Sequence, residues 1–338
     1  MSLRYLSVCS GIEAATVAWH PLGWSPVAFS EVDAFPSAVL KHHYPAVPNW
    51  GDMTKFQEWP DAAIDVLVGG TPCQSFSVAG LRTGLADPRG NLMLTYLAIA
   101  GRYRPRWLVW ENVPGVLSSH GGRDFAALLG GLGELGYGFA YRVLDAQYFG
   151  VAQRRRRVFV VGHLGDWRRA AAVLFDRDSL SGHPAPTVTQ GEGPTWWNGD
   201  AVSQTLDAVL YKGQMMPEKN RFPAIAVGDE WCSPASATTT ATAPTATWIT
   251  PSVAVLDRLR TTSLSTAKTT MGRSGRVGLR RVTPMECERL MGFPDHYTLV
   301  PYRGKSAPDT PRYKALGNSM AVPVMRWIGN RIAQVEAL

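Results

Sequence analysis

The sequence predicts an α/β fold: a mostly parallel sheet covered by helices on both faces and interrupted by an inserted module. Three observations point that way. Short apolar runs alternate with longer amphipathic stretches through the first half of the chain, the pattern of βαβ units. The pattern fails after about residue 175, where Pro, Thr, Ser and Gly dominate. Helical periodicity then returns near Thr283 and runs to the C-terminus.

The elements follow in order. "YLSVCS" (5–10) reads as a strand and "EAATVAWH" (13–20) as a helix; "VAFS" (27–30) and "AFPSAVLKHHY" (34–44) repeat the pair. "DVLVGG" (65–70) precedes a glycine-bearing loop and the helical "NLMLTYLAIAGRY" (91–103). "WLVWENV" (107–113) precedes "RDFAALLGGLGELG" (123–136), and "RVFVVGHL" (157–164) closes the series. Ligands of such sheets bind at the carboxyl ends of the strands, which directs attention to the loops beginning at Ser10, Glu31, Gly70 and Glu111.

The segment "SPASATTTATAPTATW" (233–248) is too poor in apolar residues to offset its ordering entropy and reads as loop. "APTVTQ" (185–190) and "FPAIAVG" (222–228) are β-prone, so the insert reads as a small, mostly irregular and β domain. In "TPMECERLMGF" (283–293), Thr283, Pro284 and Glu286 occupy the N-cap, N1 and N3 positions of a capping box. A final amphipathic helix spans 321–338. The predicted division is an α/β domain over 1–175, an inserted domain over 176–280, and a return to the first domain over 281–338.

Composition narrows the class. The chain has 338 residues, 45% hydrophobic and 18% charged, the profile of a globular protein. No apolar run reaches the ~18 residues that span a bilayer, and the N-terminus does not resemble a signal peptide. The four cysteines lie far apart without zinc-ligand spacing, which predicts free thiols, a reducing cytoplasm and no metal. Residues 1–100 carry 5 Lys/Arg against 8 Asp/Glu, whereas residues 101–160 carry 9 against 4. Arginine outnumbers lysine 27 to 7, which suits contacts to phosphate and guanine and is equally explained by codon usage.

Taken singly, the polar residues at strand ends leave alternatives open. Glu31 reads as a ribose ligand or a helix-capping carboxylate; Asp52 as an adenine contact or a turn former. Glu111 ends an apolar strand, so its carboxyl is desolvated and its pKa raised, fitting it to donate a proton to a ring nitrogen. Within "QRRRR" (153–157), alternation at a strand start sends Arg155 and Arg157 one way and Arg154 and Arg156 the other. Cys73 alone reads equally as a packing residue or a reactive thiol.

In combination and in order, Gly-Gly-x-Pro-Cys-Gln (69–74), Glu-Asn-Val (111–113), Gln-x-Arg-x-Arg (153–157) and Gly-Asn-Ser (317–319) resemble the DNA cytosine-5 methyltransferase family. The likeness covers roughly 1–165 and 280–338. It implies a Rossmann-like S-adenosylmethionine-dependent methyltransferase sheet with 176–280 as the target-recognition domain, oriented by "RRVTPMECERLMGFP" (280–294). It implies that Cys73 adds to C6 of a cytosine flipped out of duplex DNA, making C5 nucleophilic toward the donor methyl group. Glu111 would bind the N3 edge, Asn112 hold the strand end, Arg155 contact the base O2, and Arg157 support Glu111 and Cys73.

The resemblance assigns the cofactor to Ser10, Gly11, Glu31, Val32, Asp52, Met53, Pro72, Asn318 and Ser319. The family's Phe-x-Gly-x-Gly-Gly turn is here Cys9-Ser10-Gly11-Ile12-Glu13-Ala14, with one glycine remaining. This variant looks like that of phage-type members. A phosphate-free sulfonium nucleoside tolerates the loss, whereas a dinucleotide fits poorly. DNA contacts fall to Gln74, Ser75, Arg89, Gln153, Arg154 and Arg156, with Thr205 and Thr262 as candidate recognition-turn residues. The implied setting is a monomer acting on DNA in the cytoplasm of a prokaryote, host-encoded or phage-borne, with a cognate restriction endonuclease as a possible companion. An RNA cytosine-5 enzyme, a non-catalytic DNA-binding relative and a Rossmann oxidoreductase are the rival readings.

Overall fold

The computed structural model describes residues 2–71, 92–175, 224–227 and 278–338, with 224–227 and 278–281 described by their backbone. Six strands form the central sheet: β1 (Arg4–Val8), β2 (Ser25–Ser30), β3 (Val66–Gly69), β4 (Trp107–Asn112), β5 (Tyr137–Asp145) and β6 (Arg156–Leu164). Their order is β2-β1-β3-β4-β6-β5; the first four are parallel, and β6 runs antiparallel to both β4 and β5. The sheet is therefore mixed, with a parallel majority.

Period-two alternation supplies two cores. Tyr5, Val66, Val68, Trp107, Val109, Phe159 and Val161 face one side, where α1 (Ala14–Trp19), α2 (Ala34–His43), α5 (Trp167–Leu174) and α8 (Val322–Glu336) pack. Leu6, Val8, Leu67, Leu108, Trp110, Val158 and Val160 face the other, under α3 (Leu92–Tyr103) and α4 (Arg123–Glu134). The strands read as continuous apolar runs because both faces are covered.

The C-terminal return is built in by close contact. Trp19 Nε1 donates to the Met325 carbonyl at 2.7 Å, and a Cβ on Gly329 would lie 2.5 Å from the Trp19 ring. That approach explains a glycine inside α8 despite its cost to helix stability. The predicted capping box is present at the start of α6 (Pro284–Met291). In the same helix, buried Glu288 accepts from the His296 and Thr298 amides at 2.7 and 2.9 Å and pairs with Arg312 at 3.2 Å. This knot fixes α7 (Asp309–Asn318), whose end reaches the site described next.

One feature differs from the sequence expectation. Strand β5, absent from the predicted series, occupies the sheet edge, with a partly exposed surface and no continuous apolar run. Gly138 within it accommodates the Trp167 backbone, which a Cβ would approach to 2.2 Å. Within the predicted insert, the β-prone 222–228 stretch contributes β7 (Ala224–Val227), which pairs antiparallel with β8 (Gly278–Arg281). Among the described residues no helix is long and apolar enough to cross a membrane.

Candidate active site

The carboxyl edge of the parallel strands opens into a cavity of about 690 Å³. The ends of β1, β2, β3 and β4 contribute Cys9, Gly11, Glu31, Val32, Gly70, Thr71, Glu111 and Asn112 to its lining. Because β6 is antiparallel, its beginning lies at the same edge; Asn112 registers with Val158 and Glu111 with Phe159. That reversal brings Arg155 and Arg157 into the cavity beside residues from strand ends.

Glu111 sits at the base of this group, buried. Its Oε1 lies 3.2 Å from Arg157 Nε. Burial raises its pKa, and Arg157 and then Arg155 oppose the rise, which is the direction the sequence predicts. A Cβ on Gly70 would fall 2.9 Å from Glu111 Oε2, so the bare backbone of Gly70 is what lets the carboxylate lie there. Gly69 meets a different limit: its Cβ would stand 2.7 Å from the Val8 carbonyl oxygen, in the neighbouring strand. The Gly-Gly pair thus serves strand packing at one residue and the cavity floor at the next.

Asn112 Nδ2 donates to the Thr71 carbonyl at 2.9 Å, and Trp110 Nε1 donates to Thr71 Oγ1 at 3.0 Å. Both bonds hold the chain where it leaves β3, two residues before Cys73. Arg155 is buried; its Nη2 donates to the Gly317 carbonyl at 3.0 Å and the Ser319 carbonyl at 2.6 Å, and its amide donates to Asp145. It therefore joins the start of β6 to the end of α7. Arg154 and Arg156 are exposed and do not line the cavity, in keeping with alternation.

At the other end of the cavity, Glu31 accepts from the amides of Gly11 and Asp33, each at 2.7 Å. Burial raises its pKa. Asn49, which no sequence signal singles out, exchanges hydrogen bonds with the Glu31 backbone at 3.0 Å in both directions and fixes that strand end. Val32 is 69% exposed and lines the cavity, an apolar surface offered to a flat or apolar group. Asp52 accepts from the Thr54 amide and hydroxyl, while Met53 is buried against Cys9 with a sulfur–sulfur distance of 3.4 Å. Lys314 and Asp33 pair across the rim at 3.0 Å.

Ser10 and Ser319 line a smaller adjoining cavity of about 40 Å³ instead of the large one. The Ser10 hydroxyl and amide bond the backbone of Ser7 and Ser30 and tie two strand ends together. Asn318 lines both cavities. Gln153, expected at the DNA surface, is instead fully buried, donating to the Leu290 carbonyl at 3.4 Å; its place is the seam with α6. Pro72, Cys73, Gln74, Ser75, Arg89, Thr205 and Thr262 lie outside the described residues, as does the 233–248 stretch.

A family model for C-5 cytosine-specific DNA methylase matches residues 3–334. Among curated relatives, a protein of Escherichia phage P1 described as a DNA N-6-adenine-methyltransferase is 36% identical over 98% of the chain, which spans 61% of that protein's length. Type II methyltransferase M2.BsuMI of Bacillus subtilis (strain 168) is 28% identical over 98% of the chain and 76% of its own length. Among solved structures, S. pombe Dnmt2 methyltransferase superposes with a TM-score of 0.59 at 19% identity, covering 98% of this chain and 99% of that one. That likeness speaks for the fold.

Proposed function

The chain belongs to the C-5 cytosine-specific DNA methylases, and from that premise we propose that it methylates C5 of a cytosine extruded from duplex DNA. S-adenosylmethionine, when bound, supplies the electrophilic methyl group. The residues present fit such a nucleoside: Glu31 is fixed by two amides for ribose hydroxyls, Val32 offers an apolar face, and the turn with a single glycine makes no phosphate cradle. Asp52 and Met53 border the same end.

The observation that carries the reading is Glu111: a buried carboxyl with a raised pKa, held by Arg157 beside the exit of β3. Protonated, it donates to the cytosine N3 and withdraws electron density from the ring. The Cys73 thiolate then forms a bond to C6, and the C5 carbon so activated takes the methyl group. Loss of the C5 proton and departure of the thiolate release 5-methylcytosine. Arg155 orients the base at O2, and exposed Arg154 and Arg156 contact phosphate. Segment 176–280 reads the target sequence. The enzyme works as a monomer on DNA in a prokaryotic cytoplasm, and kinship with type II modification enzymes suggests a restriction partner.

One observation favours a second reading, the adenine-N6 description of the phage P1 relative. Nucleoside mass spectrometry of duplex DNA treated with the protein and S-adenosylmethionine separates the two. We expect 5-methylcytosine; N6-methyladenine alone would replace our reading. Bisulfite sequencing of DNA from an expressing host then gives the target site.

A further inference from the structure

One buried titratable residue has no part in the chemistry above. Glu13 is 1% exposed, and among the described residues its carboxylate takes only neutral donors: the Ser7 hydroxyl at 2.8 Å, the Thr16 amide at 3.2 Å and the Thr16 hydroxyl at 3.1 Å. Among the described residues no lysine, arginine or histidine pairs with it. The titratable groups around it are acids and phenols: Tyr5 from β1, Glu31 beyond β2, Tyr44 beyond α2 and Tyr297 beyond α6. A buried carboxylate without a counter-charge is costly, and burial pushes this one up to about 7. The backbone adds to the cost, since Glu13 holds a left-handed φ of 66° that glycine adopts without strain.

Glu13 lines the small cavity together with Ser7, Ser10, Asn318 and Ser319, and this cavity shares Cys9, Gly11, Gly70, Glu111 and Asn318 with the large one. The proposed cofactor has three arms on sulfur. Its adenosine arm goes to Glu31 and Val32, and its methyl arm must face the Glu111 end. The amino-acid arm is left for the adjoining branch, and its ammonium group is the charge that Glu13 lacks. Resting on the methyltransferase reading, we propose that Glu13 is the counter-ion for the cofactor's α-ammonium group, replacing backbone contacts of a glycine-rich turn by a charged side chain.

Isothermal titration at pH 8 tests this with two probes, S-adenosylhomocysteine and 5′-methylthioadenosine, the second lacking the amino-acid arm. Glu13→Gln keeps an acceptor for Thr16 and removes the charge. It should weaken S-adenosylhomocysteine by about 10- to 100-fold, the worth of one charge-assisted bond, and leave 5′-methylthioadenosine within about threefold. Equal loss for both probes, or no loss for either, overturns the proposal. In the unaltered protein, S-adenosylhomocysteine should bind more tightly from pH 6 to pH 8 while 5′-methylthioadenosine does not; Glu31 contacts are common to both probes and cancel. A matching pH response for the two ligands overturns it independently of the variant's folding. Failure of the unaltered protein to bind either probe would strike the methyltransferase reading itself.

Discussion

The side-chain amide of Asn112 reaches across from β4 to donate to the Thr71 carbonyl at 2.9 Å, two residues before Cys73. Thr71 is buried, so this carbonyl has no solvent to replace a lost donor. Asn112→Ala should therefore lower stability by about 1–3 kcal/mol and release the chain at Thr71, two residues before Cys73. We expect turnover to fall by about 10-fold or more while S-adenosylhomocysteine binding changes little, because mispositioning by an ångström costs catalysis before binding. Single-turnover kinetics beside calorimetry separates the two; an unchanged rate would make the tether dispensable.

The two glycines before Thr71 should respond differently to the same added methyl. In Gly69→Ala the new Cβ meets the Val8 backbone oxygen at 2.7 Å, inside a parallel strand pair, and should destabilise the protein by about 1–3 kcal/mol. In Gly70→Ala it meets the Glu111 carboxylate at 2.9 Å and Met320 Cε at 3.2 Å, both side-chain atoms able to move. That variant should melt closer to the parent and lose activity through displacement of Glu111. Denaturant melts and initial rates on the pair check the contrast; equal melting points would refute it.

Legibility in the sequence follows from what periodicity encodes. Strands β1, β3 and β4 were readable because burial on both faces leaves unbroken apolar runs. Strand direction has no such signature, so the antiparallel course of β6, which delivers Arg155 and Arg157 to the cavity, emerged only with the fold. Edge strand β5 was hidden because its faces are partly exposed and Gly138 interrupts it. The inward turn of Arg155 and Arg157 was foreseeable by alternation, and the raised pKa of Glu111 by its apolar strand. Glu13 escaped notice because a position usually held by glycine shows in sequence as a missing glycine; its burial beside a second cavity is tertiary information.

Glu111 should impose a pH limit on turnover. Burial raises its pKa, so the protonated form, the donor to the ring nitrogen in the proposed mechanism, persists above the ordinary carboxylate range. As pH rises through that value the donor is lost, and turnover should fall on the alkaline side. Glu111→Gln can donate an N–H and cannot transfer a proton, so it should lower turnover by about 10²–10⁴-fold and abolish this limb. A variant that keeps the parent's pH profile would assign the limb to another group.

Glu13 should make the ligand-free protein pH-sensitive in a defined direction. Its folded pKa, about 7, lies above the ordinary 4.5. Its stabilising contribution is therefore complete below about pH 4.5 and disappears as pH rises toward 7. That loss, from the acid limit to the ionised form above pH 7, amounts in total to about 3 kcal/mol. Glu13→Gln should match the parent in melting temperature at acid pH and exceed it at pH 8 without ligand. Identical melting curves at pH 8 would show that the carboxylate is compensated in the folded state.

Cys73 itself should be open to covalent trapping. If its thiolate adds to C6, then DNA carrying 5-fluorocytosine at the target should remain covalently attached after methyl transfer, because the fluorine on C5 cannot leave as a proton does. The complex should survive denaturing electrophoresis, require S-adenosylmethionine, and disappear in Cys73→Ala. That variant should also lose all methyl transfer while binding S-adenosylhomocysteine as the parent does, since the cavity proposed for the cofactor is lined by Glu31, Val32, Asp52 and Asn318. Methylation by Cys73→Ala would eliminate the thiol as nucleophile. An active parent enzyme that forms no adduct on the fluorinated DNA would eliminate C6 addition altogether, leaving direct attack on an amino nitrogen as the chemistry to test.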